Sequence, residues 1–279
     1  MPFNPTTSTI LTEDCTLTYW HQGHSSQPLL ILISGGNGVG KKYNGLFEHL
    51  SDTFHVCTYD RRQNGASQLV EGKNKFLNPA QQARDVVAIM RDLGYGEMCV
   101  FGNSGGAIIG FTLAVNYPQY LTDIVCHEAP TIALLPDAED VSNWCQSTSA
   151  AYREDGPEAA WSIFKNMMTG YEGLSAEVKP SLDDLRNFWE NEFVIFSTWC
   201  PDLRRIRSNG TSIAVAVGDA SGDAYYARAV QEQQRILECP RYDLPGPHTG
   251  FVHFPGEFAK ALKGVFGDLE NGRVDSKTV

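Results

Sequence analysis

The chain contains no stretch approaching the ~18 consecutive apolar residues that a membrane-spanning helix requires. Its first residues, Met1-Pro2-Phe3-Asn4-Pro5-Thr6, lack both a basic and an apolar signal region. It has no C-x-x-C pair. The seven cysteines (Cys15, Cys57, Cys99, Cys126, Cys145, Cys200, Cys239) are odd in number and scattered, several of them inside apolar strand-like runs, which fits a reducing compartment. Positive charge is scarce: 22 Lys and Arg against 33 Asp and Glu give a net charge of -11, which argues against nucleic acid or an anionic membrane as partner. Internal repeats and low-complexity segments are also missing. These absences make a soluble, cytoplasmic protein the expectation.

What is present is enough for a large core. With 279 residues, 42% hydrophobic and 20% charged, the chain suits one globular domain, or one domain with a lid. Short apolar runs (29–33, 54–59, 98–101, 124–126, 213–217) alternate with helical patterns (45–50, 79–93, 107–117, 224–237, 255–266). Strands apolar on both faces and separated by helices predict an α/β fold with a mostly parallel sheet covered on both sides. Between 131 and 207 the patterns are helical only (141–153, 157–168, 182–198). The expected organisation is therefore a core of 1–130 and 208–279 with a helical cap of 131–207. The polar tail 270–279 is expected to fray.

The run Gly102-Asn103-Ser104-Gly105-Gly106 follows the apolar stretch 98–101 and opens a helix, the context of a G-x-S-x-G turn that presents a serine above a sheet edge. Such a serine also sits at a helix N-terminus, where unpaired N–H groups favour developing negative charge. A competing feature lies in Gly35-Gly36-Asn37-Gly38-Val39-Gly40-Lys41-Lys42, which fits part of a phosphate-binding loop. Lys42 stands where that loop needs a magnesium-binding hydroxyl, so nucleotide binding is the weaker reading. Its other use is as half of an oxyanion hole, with the N–H of Gly36 (Gly35 beside it) and the N–H of Gly105 as donors.

A serine nucleophile needs a base and an acid. His248, in the Pro/Gly-rich loop 244–251 ahead of the last helix, is the candidate base, with His253 reading as loop support. For the acid, chemistry alone leaves two carboxylates level. Glu128 ends a buried strand at the edge that carries Ser104, and Asp219 follows the strand 213–217, with Asp223 nearby in a turn that reads as a helix cap. Asp60, in the pattern D-x-R-x-x-G-x-S from 60 to 67, reads as a turn held by carboxylate and arginine.

These motifs resemble the α/β-hydrolase fold, and within it the zearalenone lactonase type. The matching segments are 34–38, Tyr59 to Ser67, the elbow at Ser104, Cys126-His127-Glu128-Ala129-Pro130-Thr131, and Pro245-Gly246-Pro247-His248. In those lactonases the glutamate of the Cys-His-Glu motif is the triad acid, so the resemblance implies a Ser104–His248–Glu128 triad, with Asp219 as the alternative acid. Asn103 departs from it, since the lactonases carry cysteine there. Trp189 falls roughly where they set a cap tryptophan against the ligand.

Four of the five tryptophans (Trp144, Trp161, Trp189, Trp199) lie in the cap segment with many phenylalanines, and a lining of that kind suits a large, apolar ester or lactone. Trp189, Asn103 and Gly35 are the expected substrate contacts. The reading is thus a serine esterase or lactonase that needs no cofactor and no metal, with a small-molecule partner and a homodimer left open. A non-hydrolytic lyase or cyclase on the same fold is the alternative.

Overall fold

The structure, a computed structural model, describes residues 4–73, 75–175 and 180–277, with side chains through 273. Nine strands form one sheet: β1 (Thr6–Thr12), β2 (Cys15–Gln22), β3 (Leu29–Ile33), β4 (His55–Tyr59), β5 (Gln68–Leu69), β6 (Met98–Asn103), β7 (Leu121–His127), β8 (Ile213–Gly218) and β9 (Arg241–Leu244). Their order is β1-β2-β4-β3-β6-β7-β8-β9, with β5 beside β2. The pairings from β4 through β3, β6, β7 and β8 to β9 are all parallel, and only β1, β2 and β5 are antiparallel.

The parallel strands are buried on both faces, so their side chains divide between two cores. Leu29, Ile31 and Ile33 enter one, while Leu30 and Leu32 enter the other. The helices α1 (Asn44–Leu50) and α11 (Pro255–Lys277) cover the second face. On the first lie α2 (Pro79–Asp92), α3 (Gly105–Asn116), α8 (Leu203–Ser208) and α9 (Tyr225–Leu237). The chain leaves β3 toward β4 on one side and returns to β6 on the other. The strand order therefore reverses at β3, and in open α/β sheets the crevice outside the strand ends at such a point is where ligands bind.

Between β7 and β8 the chain forms α4 (Ala138–Asp155), α5 (Pro157–Lys165), α6 (Leu182–Asn187) and α7 (Phe193–Thr198), followed by α8. Helices α6 and α7 are joined by a widened π turn, Phe188–Glu192, where the periodicity predicts one unbroken helix. The short helix α8 already rests on α3 and α9, so the chain is back against the core before residue 208.

Two further elements differ from the sequence expectation. A β1–β2 hairpin precedes the first expected strand; its first strand is half-exposed and rich in threonine, so it carries no long apolar run. The tail predicted to fray is helical through 277, with residues 278 and 279 outside the described residues. Its Arg273 donates to both oxygens of the buried Asp123 carboxylate, at 2.7 Å each, which ties the last turns to β7. Among the described residues no helix is long and apolar enough to cross a membrane. The short helix α10 (Gly250–His253) follows the loop that carries His248.

Candidate active site

The carboxyl ends of β3, β6, β7 and β8 bring the candidate residues to one edge. At the end of β6 the chain must turn at once into α3, and Ser104 takes the left-handed pair φ 56, ψ −123. Side chains seldom adopt such angles unless the surroundings enforce them. Its neighbours explain why glycine is needed there. A Cβ on Gly102 would lie 2.5 Å from the carbonyl oxygen of Gly106, and one on Gly106 would lie 2.0 Å from that of Ile33. The Ser104 N–H donates to the carbonyl of His127 at 2.8 Å, which locks the elbow to the end of β7.

Glu128 follows β7 directly, is fully buried and also has positive φ, at 50°. Its two oxygens are both engaged. Oε1 accepts from the Gly218 N–H at 2.8 Å, and Oε2 lies 2.6 Å from Nδ1 of His248. Burial works to raise the Glu128 pKa, but the imidazoles of His127 and His248, with the hydrogen bond from His248, outweigh it and hold the carboxyl below its ordinary value. His248 is 8% exposed, and the Tyr226 ring lies 4.3 Å from its own between centroids.

Among the described residues, Asp219 makes no hydrogen bond or ion pair with the His248 ring. Its Oδ1 accepts from the Gly246 N–H at 2.7 Å, bracing the loop from 245 to 248 two residues ahead of His248. Asn103, a candidate substrate contact from the sequence, instead has its amide turned inward. It is 4% exposed, and its Nδ2 donates to the His248 carbonyl at 3.0 Å and lies 2.9 Å from Nδ1 of His127. His127 is wholly buried, and burial pulls its pKa down to about 4, so the ring is neutral and accepts from Asn103.

Gly35 presses on Ser104: a Cβ there would come 2.7 Å from the Ser104 Cβ and 3.3 Å from its Oγ. Gly36 and Gly105 are roofed by two rings of the inserted helices. A Cβ on Gly36 would meet Phe188 at 2.7 Å, and one on Gly105 would meet Phe196 at 2.6 Å. Trp189 sits one layer further out, 4% exposed, with ring centroids 4.8 Å from Phe188 and from Phe193. No pattern in the sequence separates Phe188 and Phe196 from the other phenylalanines around them. Lys42 of the Gly-rich loop folds back, its Nζ 2.8 Å from the carbonyl of Gly36.

The turn after β4 carries more than the sequence indicates. Asp60 accepts from the N–H groups of Gly40 at 2.8 Å and Ala66 at 2.7 Å, as a turn-holding carboxylate does. The arginine of the D-x-R pattern, Arg62, pairs with Asp85 and Asp14. Arg61, at the variable position, goes the other way, into the base of the site, where it pairs with Glu192 of the π turn.

A parallel sheet with a serine elbow, a buried His–carboxylate pair and a glycine loop at its switch point defines a hydrolase of the α/β class. Residues 28–201 match the family model of the alpha/beta hydrolase fold, and the chain belongs to that family. It is 26% identical over 251 residues to an uncharacterized hydrolase of Bacillus subtilis, YraK, covering 87% of this chain and 90% of that one. It is 24% identical over 274 residues to the zearalenone hydrolase of Bionectria ochroleuca, covering 91% and 96%. Among solved structures, naproxen esterase of Bacillus subtilis superposes with a TM-score of 0.68 at 15% identity, covering 95% of this chain and 92% of that one.

Proposed function

We propose that the protein is a serine hydrolase that cleaves a carboxylic ester or lactone of a large, mostly apolar small molecule through an acyl-enzyme on Ser104. The observation that carries this reading is the buried pair His248 Nδ1 to Glu128 Oε2 at 2.6 Å, with the His248 carbonyl held at 3.0 Å by Asn103, the residue before a serine in the strained elbow conformation. With Nδ1 donating to the carboxylate, Nε2 is the free lone pair that can take the proton of Ser104 Oγ as it attacks the carbonyl carbon. The oxyanion then forms within reach of the N–H groups of Gly36 and Gly105. When the tetrahedral intermediate collapses, the C–O bond breaks and His248 returns the proton to the leaving alcohol; in a lactone that alcohol stays tethered. Water activated by His248 then releases the acid. Glu128 stays ionised throughout and orients the imidazole.

The substrate class rests on the roof. Phe188 and Phe196 sit over the two glycines, with Trp189 and Phe193 behind them, so the groups flanking the carbonyl meet aromatic carbon rather than charge. The similarity to a zearalenone hydrolase supports a lactone within that class.

Ser104→Ala is expected to lose most of the turnover of an accepted aryl ester, on the order of a millionfold as for a serine protease lacking a triad member. A serine-reactive phosphonate should add one adduct, located on Ser104 by peptide mass spectrometry. Near-wild-type turnover in Ser104→Ala refutes the mechanism. Glu128→Ala should be severely impaired and Asp219→Ala mildly so; the reverse order moves the acid to Asp219.

A further inference from the structure

We propose that Arg61, held by Glu192 of the inserted helical segment, is a positioning residue that aims the Gly36 N–H at the oxyanion. The inference rests on the serine-hydrolase reading above, because it assigns a task to the donor that this reading requires.

Arg61 is fully buried, and its guanidinium is saturated with partners. Nε donates to the carbonyl of Ser34 at 3.0 Å and Nη2 to that of Gly35 at 2.8 Å. Nη1 reaches Gln82 at 3.1 Å and Glu192 Oε1 at 2.9 Å, while Nη2 completes the fork to Glu192 Oε2 at 2.7 Å. Glu192 is itself 1% exposed and accepts further from Asn64 at 2.9 Å. Its position at the end of the π turn fits the tendency of such widened turns to occur at functional sites.

The consequence follows from peptide geometry. The carbonyl of Gly35 and the N–H of Gly36 belong to one planar trans unit, so they point in opposite directions. Drawing the Gly35 oxygen down onto Arg61 turns the Gly36 N–H up, away from the guanidinium. Between two glycines this unit has little steric bias of its own; the Gly38 N–H also donates to the Gly35 oxygen, at 3.1 Å, so Arg61 acts together with that turn in fixing the direction of the N–H. The next unit is pinned in the same manner, since Lys42 holds the Gly36 carbonyl at 2.8 Å. Two cations thus fix both peptides of the residue. Arg61 takes its charge partner, Glu192, from the inserted helices, and the Phe196 ring that roofs Gly105 lies 5.2 Å over the same guanidinium. Docking of the helices that roof the site is therefore coupled to the aim of the oxyanion donor.

The test uses the full chain with Glu192→Gln, and with the pair Arg61→Met plus Glu192→Leu, which leaves no orphaned charge if the single variant fails to fold. A phosphonate titrates the active sites, so kcat is counted per competent molecule. We expect kcat per site on an aryl ester to fall about tenfold to a hundredfold with KM within about threefold. The inhibition constant of a trifluoromethyl ketone, which forms a tetrahedral adduct, should rise by the same factor as kcat falls. A purely structural pair would lower the titrated fraction and leave kcat per site and the ketone constant at wild-type values; that result, with Ser104→Ala inactive, overturns the positioning role alone. Activity in Ser104→Ala overturns the reading beneath it.

Discussion

Replacing His127 by glutamine should flatten the acid side of the protein's stability curve. His127 lies directly before Glu128, fully buried between Phe101, Phe258 and the stacked ring of His248, at centroid distances of 6.0, 5.9 and 6.2 Å. Burial lowers its pKa from 6.5 to about 4; Glu128 opposes that fall and His248 adds to it. Between those two values the unfolded chain binds a proton that the native chain refuses. Stability therefore rises with pH across this window, is fully present above about 6.5 and is lost as pH falls toward about 4. At about 1.4 kcal/mol per pH unit, the full loss is about 3 kcal/mol, of which about 2 kcal/mol has gone by pH 5. Glutamine has an amide oxygen that can accept from Asn103 and no titration in this range. Urea unfolding at half-unit steps from pH 4.5 to 7.5 should give wild-type and His127→Gln curves that converge on acidification by about 2 kcal/mol between pH 7 and 5. Groups that do not face His127, His55 among them, are common to both chains and cancel in the difference, while Glu128, whose pKa His127 helps to lower, titrates mainly below the window compared. Parallel curves would refute a neutral, buried His127.

Gly36→Ala should collide with the Phe188 ring, 2.7 Å from the new Cβ, and cost about 1–3 kcal/mol of transition-state or folding free energy. Adding Phe188→Leu should restore part of the ester turnover, whereas a double variant no better than the single one would show that the ring is not the obstacle. Arg273→Ala should destabilise by about 1–2 kcal/mol, because it leaves the buried Asp123 carboxylate with the Ser212 hydroxyl at 2.6 Å and without its bidentate partner. An unchanged urea midpoint would mean that the last turns of α11 hold nothing.

The features legible in the sequence are those whose cause is local. The elbow demands glycine at 102 and 106 because backbone atoms four and five residues away, or on the adjoining strand end, leave no room for a Cβ, so residue type and spacing carry the geometry. The core strands announce themselves because burial on both faces requires unbroken apolar runs. The half-exposed β1 needs no such run, and β2, though largely buried, mixes threonine and polar residues with its apolar ones, so neither forms the unbroken apolar stretch that marks the core strands. The tail looked free because its anchor is a charge pair spanning 150 positions.

The Asp60-Arg61-Arg62 triplet shows where residue pattern stops being informative. Read along the chain, both arginines belong to the turn that Asp60 organises, and nothing in their types separates them. In the folded chain consecutive side chains leave a strand end on opposite sides. Arg62 goes to Asp85 and Asp14 beside β1, while Arg61 goes under the Gly35–Gly36 loop to a glutamate 131 positions away. Two successive arginines after a fully buried strand do imply that one must turn inward and find a carboxylate there, since an unpaired buried guanidinium is far too costly. Which of 33 acidic residues answers it is not encoded in spacing. Glu192 stands among Asp183, Asp184 and Glu190 on one helical segment, and only the packing of that segment over Gly36 and Gly105 selects it. The link between the roof of the site and the Gly36 peptide is thus a property of tertiary packing, even though each of its parts is plain in the sequence.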